Sequence, residues 1–179
     1  MTDFDKILDR LSLLVGWHAD SRMPIEWPAL VAAAGHDFPL DYRRYVERFP
    51  PGVLGALTVH HPQRWSGVAD YLEYAENYHN VMNDRALMRG DFPYRFGSSP
   101  GDLYMWGAVQ ADYLLCWQLS EKAAEEWPTV VCDISMVDQP ERYEGSFSNL
   151  LLELAEGKTP VPVISYVADG AWPFEFEAF

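Results

Sequence analysis

The chain has 179 residues, with 13 Lys and Arg against 27 Asp and Glu, and a formal charge of −14 at pH 7. That balance repels phosphate backbones and anionic lipid surfaces, which disfavours plain nucleic-acid binding and membrane adhesion. Hydrophobic residues make up 49% and aromatics 15%, enough apolar mass for one folded domain with a real core and too much for disorder.

Phe4, Ile7, Leu8, Leu11, Leu14 and Val15 recur at helical spacing, with Asp3 and Asp5 where negative charge suits the start of a helix. They predict a helix over 3–15. The opening Met1-Thr2-Asp3-Phe4-Asp5 lacks the basic-then-apolar pattern of a secretory signal, and the longest apolar runs fall far short of the ~20 residues a bilayer needs. Trp27-Pro28-Ala29-Leu30-Val31 opens a second helix, with Pro28 in its first turn and Gly35 as its C-cap. Asp41–Phe49 reads as a short third helix stopped by Pro50-Pro51. Gly52–His60 changes period and predicts a first strand with a glycine bend.

Val68, Tyr71, Leu72, Ala75, Tyr78 and Met82 form a stripe at three-to-four spacing, which predicts the longest helix over about 66–88, ended by Gly90 and Pro93. After the turn-rich 97–101, a meander follows. Its strands are Asp102–Val109, Tyr113–Leu119 and Thr129–Ile134, with Gln110-Ala111-Asp112 as the first turn. Tyr113, Leu115 and Trp117 share one face. Glu141–Glu144 is a short edge strand, and Ser146 caps a helix over Phe147–Glu156 closed by Gly157. Residues 159–179 read as an extended aromatic tail, in which Trp172-Pro173-Phe174-Glu175-Phe176 straps the core. Helices, then strands, then a final helix predict a single α+β domain with a mostly antiparallel sheet.

The chain carries no dinucleotide, P-loop, nucleophile-elbow, zincin or EF-hand motif, so no cofactor or metal is expected. Cys116 and Cys132 lie in apolar strands without CxxC spacing, which fits buried thiols in a reduced, cytoplasmic setting. His60 and His61 are adjacent and face opposite sides of a strand, so they are poor joint ligands. His18 and His36 fall at helix exits, and His79 lies beside the apolar stripe of the long helix. Structural roles are expected for all five histidines. Trp106 and Trp117 fall in the meander and Trp127 just before its third strand; alternation buries at least some of them, and core packing is favoured over a ligand site. Asp112 is the sharpest single acid, and turn chemistry accounts for it. Asp70, Glu73 and Glu76 line one stripe of the long helix, and Glu121, Glu125 and Glu126 add charge between the second and third meander strands. Solubility explains these acids as well as a binding surface does. The second reading is electrostatic steering towards a basic protein partner.

Several segments, in order, resemble the SUKH superfamily built around the yeast cell-wall-assembly regulator. Trp27…Leu30, Ala34-Gly35 and Phe38-Pro39-Leu40-Asp41-Tyr42-Arg43-Arg44-Tyr45-Val46 are similar to its opening signature. Phe49-Pro50-Pro51-Gly52-Val53-Leu54 follows its glycine-rich exit loosely, with proline for the first glycine. Gly101-Asp102-Leu103-Tyr104-Met105-Trp106-Gly107…Asp112-Tyr113-Leu114-Leu115-Cys116-Trp117 resembles its central hairpin, with Ala111 where the family has glycine. Ser146-Phe147…Leu150-Leu151-Leu152 resembles its closing helix. The resemblance spans about 25–165 and leaves 166–179 as a tail. It implies a non-enzymatic α+β domain. Among bacterial members it implies an immunity protein, an antitoxin that neutralises a nuclease or deaminase toxin of a polymorphic toxin system. Gly35, Pro39, Tyr42, Trp106, Gly107, Asp112 and Trp117 are then fold-determining. Two other expectations stand beside it. One is a general interaction or regulatory module, and the other an enzyme using Asp112 with a nearby histidine, which requires a cleft around Asp112.

Overall fold

The structure is a computed structural model, and it describes residues 3–18, 24–110, 112–168 and 174–179. In chain order its elements are α1 (Asp3–Leu14), α2 (Trp27–Ala34), α3 (Leu40–Arg48), β1 (Gly52–Leu54), β2 (Leu57–Val59), α4 (Val68–Arg89), β3 (Leu103–Val109), β4 (Tyr113–Gln118), β5 (Thr129–Asp133), β6 (Glu141–Tyr143), α5 (Phe147–Ala155) and β7 (Phe176–Ala178). Short 3-10 turns lie at Pro62–Arg64, Ala124–Glu126 and Pro162–Val167. All seven strands form one antiparallel sheet in the order β6-β5-β4-β3-β2-β1-β7, so the chain is a single α+β domain. No helix among the described residues is long and apolar enough to cross a membrane.

Two expectations change. The segment 52–60 is a hairpin of β1 and β2, because Gly55 adopts a left-handed conformation that reverses the chain. The tail is not simply extended: it makes the 3-10 turn Pro162–Val167 and ends as β7, paired antiparallel with β1. Phe174 and Phe176 pack on the core, as a strap would, while Trp172 and Pro173 of that segment lie outside the described residues.

Strand alternation divides the core. On one face Tyr104, Trp106, Leu115, Trp117 and Val131 pack with α1, α2, α3, α5 and the first turns of α4. The packing there is aromatic: Phe147 meets Trp106 edge-on at 4.8 Å, Tyr42 meets Trp117 at 4.9 Å, and Tyr45 stacks on Phe49 at 4.6 Å. On the other face Leu103, Met105, Leu114, Cys116, Val130 and Cys132 pack beneath Met82 of α4 and Phe96. Both cysteines are buried, free thiols, as expected.

A bulge interrupts β3 at Trp106. The β3–β4 register runs Met105↔Cys116 and then Gly107↔Leu115, so Trp106 is the extra residue and shares the aromatic face with position 107. A Cβ at Gly107 would lie 2.8 Å from the Thr58 carbonyl oxygen of β2, which is why that position takes glycine.

Helices α3 and α5 are tied at their N-termini by Asp41. One carboxylate oxygen accepts from Ser148 N–H at 2.7 Å and the other from Tyr42 N–H at 2.9 Å. A buried negative charge at two helix N-termini is stabilised by both. Burial pushes the Asp41 carboxyl up, and the bonds from Ser148, Tyr42 and Ser146 oppose the shift. Tyr42, fully buried, donates to His60 O at 2.5 Å and contacts the Tyr71 hydroxyl at 3.1 Å. Gly35 caps α2 in the left-handed conformation, Pro39 precedes α3, and Ser146 accepts from Asn149 N–H at the start of α5.

Candidate functional site

Helix α4 borders two cavities. β2 pairs only with residues 107–109 of β3, so the first half of β3 would be an open edge. Beyond the bond from His60 N–H to Trp106 O, two substitutes close it. Residues 95–97 run beside Leu103, with Leu103 N–H donating to Arg95 O and Gly97 N–H to Leu103 O. Met105 N–H donates to His79 Nε2 at 3.2 Å. Further along α4, Asn83 holds Phe96 through both its N–H and its C=O at 2.8 Å. Arg85 and Arg89 donate to the carbonyls of Ile134 and Met136 and fix the loop after β5.

This arrangement leaves a cavity on each flank of α4. The larger, about 340 Å³, lies between α2, α4, residues 95–98 and Tyr104. Glu76, His79, Asn80 and Arg95 line it, with Ala33, Ala34 and Ala75 giving it room. The Tyr104 side chain is 2% exposed and its hydroxyl has no hydrogen-bond partner among the described residues. The smaller cavity, about 130 Å³, lies over Met105 and Ala108 and is walled by His60, Trp65, Tyr74 and Tyr78. Trp65 and Tyr74 lie 4.4 Å apart, and His60 stacks on Tyr71 at 4.1 Å.

The histidines around these cavities are neutral near pH 7. Burial pushes His36, His61 and His79 down to about 4 and His60 to about 3. Their hydrogen bonds fix tautomers. His61 takes Gln63 N–H on Nδ1, so Nε2–H donates to Val46 O and Phe49 O at the end of α3. His79 accepts on Nε2, so its proton sits on Nδ1. His60 and His61 face opposite ways, as adjacent residues leaving a strand should. His36 packs edge-on against Tyr104 at 4.3 Å. Among the described residues, no group of three or more His, Cys, Asp or Glu side chains could hold a metal ion.

The acids singled out from the sequence form two groups. Asp70, Glu73 and Glu76 are all exposed on α4, but only Glu76 turns into the larger cavity. Glu121, Glu125 and Glu126 are exposed around the 3-10 turn that packs on α3. Glu125 acts electrostatically on Arg43, and Glu126 lies 3.9 Å from Lys122. Asp112 is exposed and lines neither cavity. The turn it belongs to is closed by main-chain groups: Asp112 N–H donates to Val109 O, Ile134 N–H donates to Asp112 O, and Gln110 takes the positive φ. Among the described residues its side chain makes no hydrogen bond within that turn, and Ala111 lies outside them. Trp106, Trp117 and Trp127 are buried, as expected.

Sequence reasoning missed His79 as an edge-closing residue and Arg95 and Tyr104 as cavity residues. The signal for His79 was a polar residue four after Ala75 and three before Met82 of the apolar stripe. No protein-family model, curated protein or solved structure matches the chain.

Proposed function

We propose that this chain is a protein-binding domain of the immunity type, which captures a basic toxin domain through its acidic surface. The observation that carries it is the state of the acids. Asp70, Glu73, Glu76, Glu121 and Glu125 are exposed and make no ion pair within 4 Å among the described residues, in a chain of charge −14. Unneutralised carboxylates set a field that steers a cationic partner and raises association rates about ten- to a thousandfold. Nuclease toxins bind polyanions, so an acidic surface imitates their substrate. The ordered motifs that resemble the SUKH superfamily support the same reading by analogy.

The test is affinity capture from the cells that make the protein, then reconstitution of the purified pair. The expected result is one basic domain, bound one to one, whose association slows as salt rises. Glu73→Lys and Glu125→Lys should slow it further while leaving thermal stability unchanged. A partner whose association ignores salt and both reversals would overturn the acidic-surface reading. Several weak, salt-insensitive partners would identify a general interaction module instead. Turnover of a substrate by the isolated chain would place it among enzymes.

A further inference from the structure

Among the described residues every Lys and Arg head group meets a carboxylate within 4 Å, or a carbonyl for Arg85, except those of Arg64 and Arg95. Arg64 is exposed, and its guanidinium lies against rings instead, 6.0 Å from that of Trp65 and 4.4 Å from that of Phe179. It acts electrostatically on Tyr74 and His60, and all three line the smaller cavity beside α4. In a chain of charge −14, a guanidinium that no carboxylate neutralises keeps its capacity for an anion from outside.

The rest of the lining is aromatic or small. Trp65, Tyr74 and Tyr78 make one continuous wall, with successive ring centroids 4.4 and 5.0 Å apart. All three are half-buried, so their rings border both the cavity and solvent. Gly107 and Ala108 of β3 leave the opposite side open. No carboxylate lines the cavity, and with His60 neutral the only formal charge there is that of Arg64. The volume is about 130 Å³. An apolar cavity of about 150 Å³ holds one benzene ring, so this space suits a single six-membered ring. Aromatic walls favour an aromatic ring over a saturated one, because ring faces and ring edges carry opposite partial charge. A guanidinium favours a planar carboxylate, which it meets with two parallel N–H···O bonds, and it repels a cationic ring. We propose that this cavity binds a single-ring aromatic carboxylate, a molecule of the benzoate class. Its ring lies against Trp65, Tyr74 and Tyr78, and its carboxylate lies at Arg64.

The test uses the full-length chain with benzoate and 4-hydroxybenzoate as probes, read by titration calorimetry and by thermal shift. At least one should bind saturably and raise the melting temperature. Benzamide keeps the ring and loses the charge, and cyclohexanecarboxylate keeps the charge and loses the aromatic face. Each should bind about tenfold more weakly. Arg64→Gln changes an exposed side chain, so it should fold with unchanged stability and weaken the probe by about the same factor. Tyr74→Leu keeps bulk in the wall and should abolish the preference for benzoate over cyclohexanecarboxylate. Arg95→Gln removes the other unpaired guanidinium, which lines the larger cavity, and should leave binding unchanged. The proposal is overturned if neither probe binds at millimolar concentration. It is equally overturned if Arg64→Gln weakens binding no more than Arg95→Gln, or if cyclohexanecarboxylate binds the unaltered chain as tightly as benzoate. No protein partner enters the assay, so its failure leaves the toxin-binding reading untouched.

Discussion

The two faces of the sheet are built from different materials. One buries Trp106, Trp117, Tyr42, Tyr45 and Phe147 in a cluster to which all five α-helices contribute. The other buries Met82, Met105, Met136, Cys116 and Cys132 beneath one helix and its following loop. Aromatic rings with fixed edge-to-face contacts define a single packing, whereas thioethers and thiols fill irregular space and adapt. The difference follows the division of labour. The aromatic face and its α3–α5 tie set the fold. Helix α4, which covers the soft face and closes the open edge of β3, carries a cavity on each flank and the most exposed acids.

The largest expected effect breaks that contrast if it fails. Trp117→Ala should cost about 3–5 kcal/mol, as for large aromatic deletions in close-packed cores. Cys132→Ala, equally buried on the opposite face, should cost about 1 kcal/mol. Urea unfolding of both variants checks this, and equal losses would show that the faces do not differ in how tightly they specify packing. Next comes the helix tie. Asp41→Ala leaves Ser148 N–H buried without its acceptor and should cost about 1–3 kcal/mol, while Asp41→Asn, which keeps one oxygen, should cost less. Thermal melts at pH 7 separate the two.

Stability also depends on pH. An unfolded histidine titrates near 6.5, but His36, His60, His61 and His79 hold off protons until about 3 to 4. The unfolded chain therefore binds more protons between these limits. Stability is full above 6.5 and falls as pH drops towards about 4. Asp41 shifts the other way and partly offsets the loss. At about pH 5.5 the share of His79 alone is about 1 kcal/mol, and His79→Gln should flatten the profile. Denaturant midpoints measured across this range provide the check.

Legibility from sequence followed the range of the interaction. The five α-helices, the meander and the caps at Gly35 and Ser146 were readable, because periodicity and capping act within a few residues. Strand β7 was not readable. Phe176–Ala178 is three residues long and is held by partners distant in sequence, β1 and the Val15 carbonyl. The one hint is Gly52, where a Cβ would lie 2.4 Å from Glu177 O. The candidate site divides in the same way. The exposure of Asp70 and Glu73 followed from helical spacing. That Glu76, Arg95 and Tyr104 meet in one cavity did not, since they come from a helix, a loop and a strand.

The sequence by itself determined the local elements, the buried aromatic and thiol side chains, and an acidic charge that governs which partners can approach. Tertiary structure alone decided that β2 stops short of pairing with all of β3. It decided too that a histidine side chain and a loop backbone fill the gap, and that space remains beside them. Periodicity records which side of an element is apolar. It does not record how far two strands overlap, and in this protein that overlap creates both the open edge and the cavity.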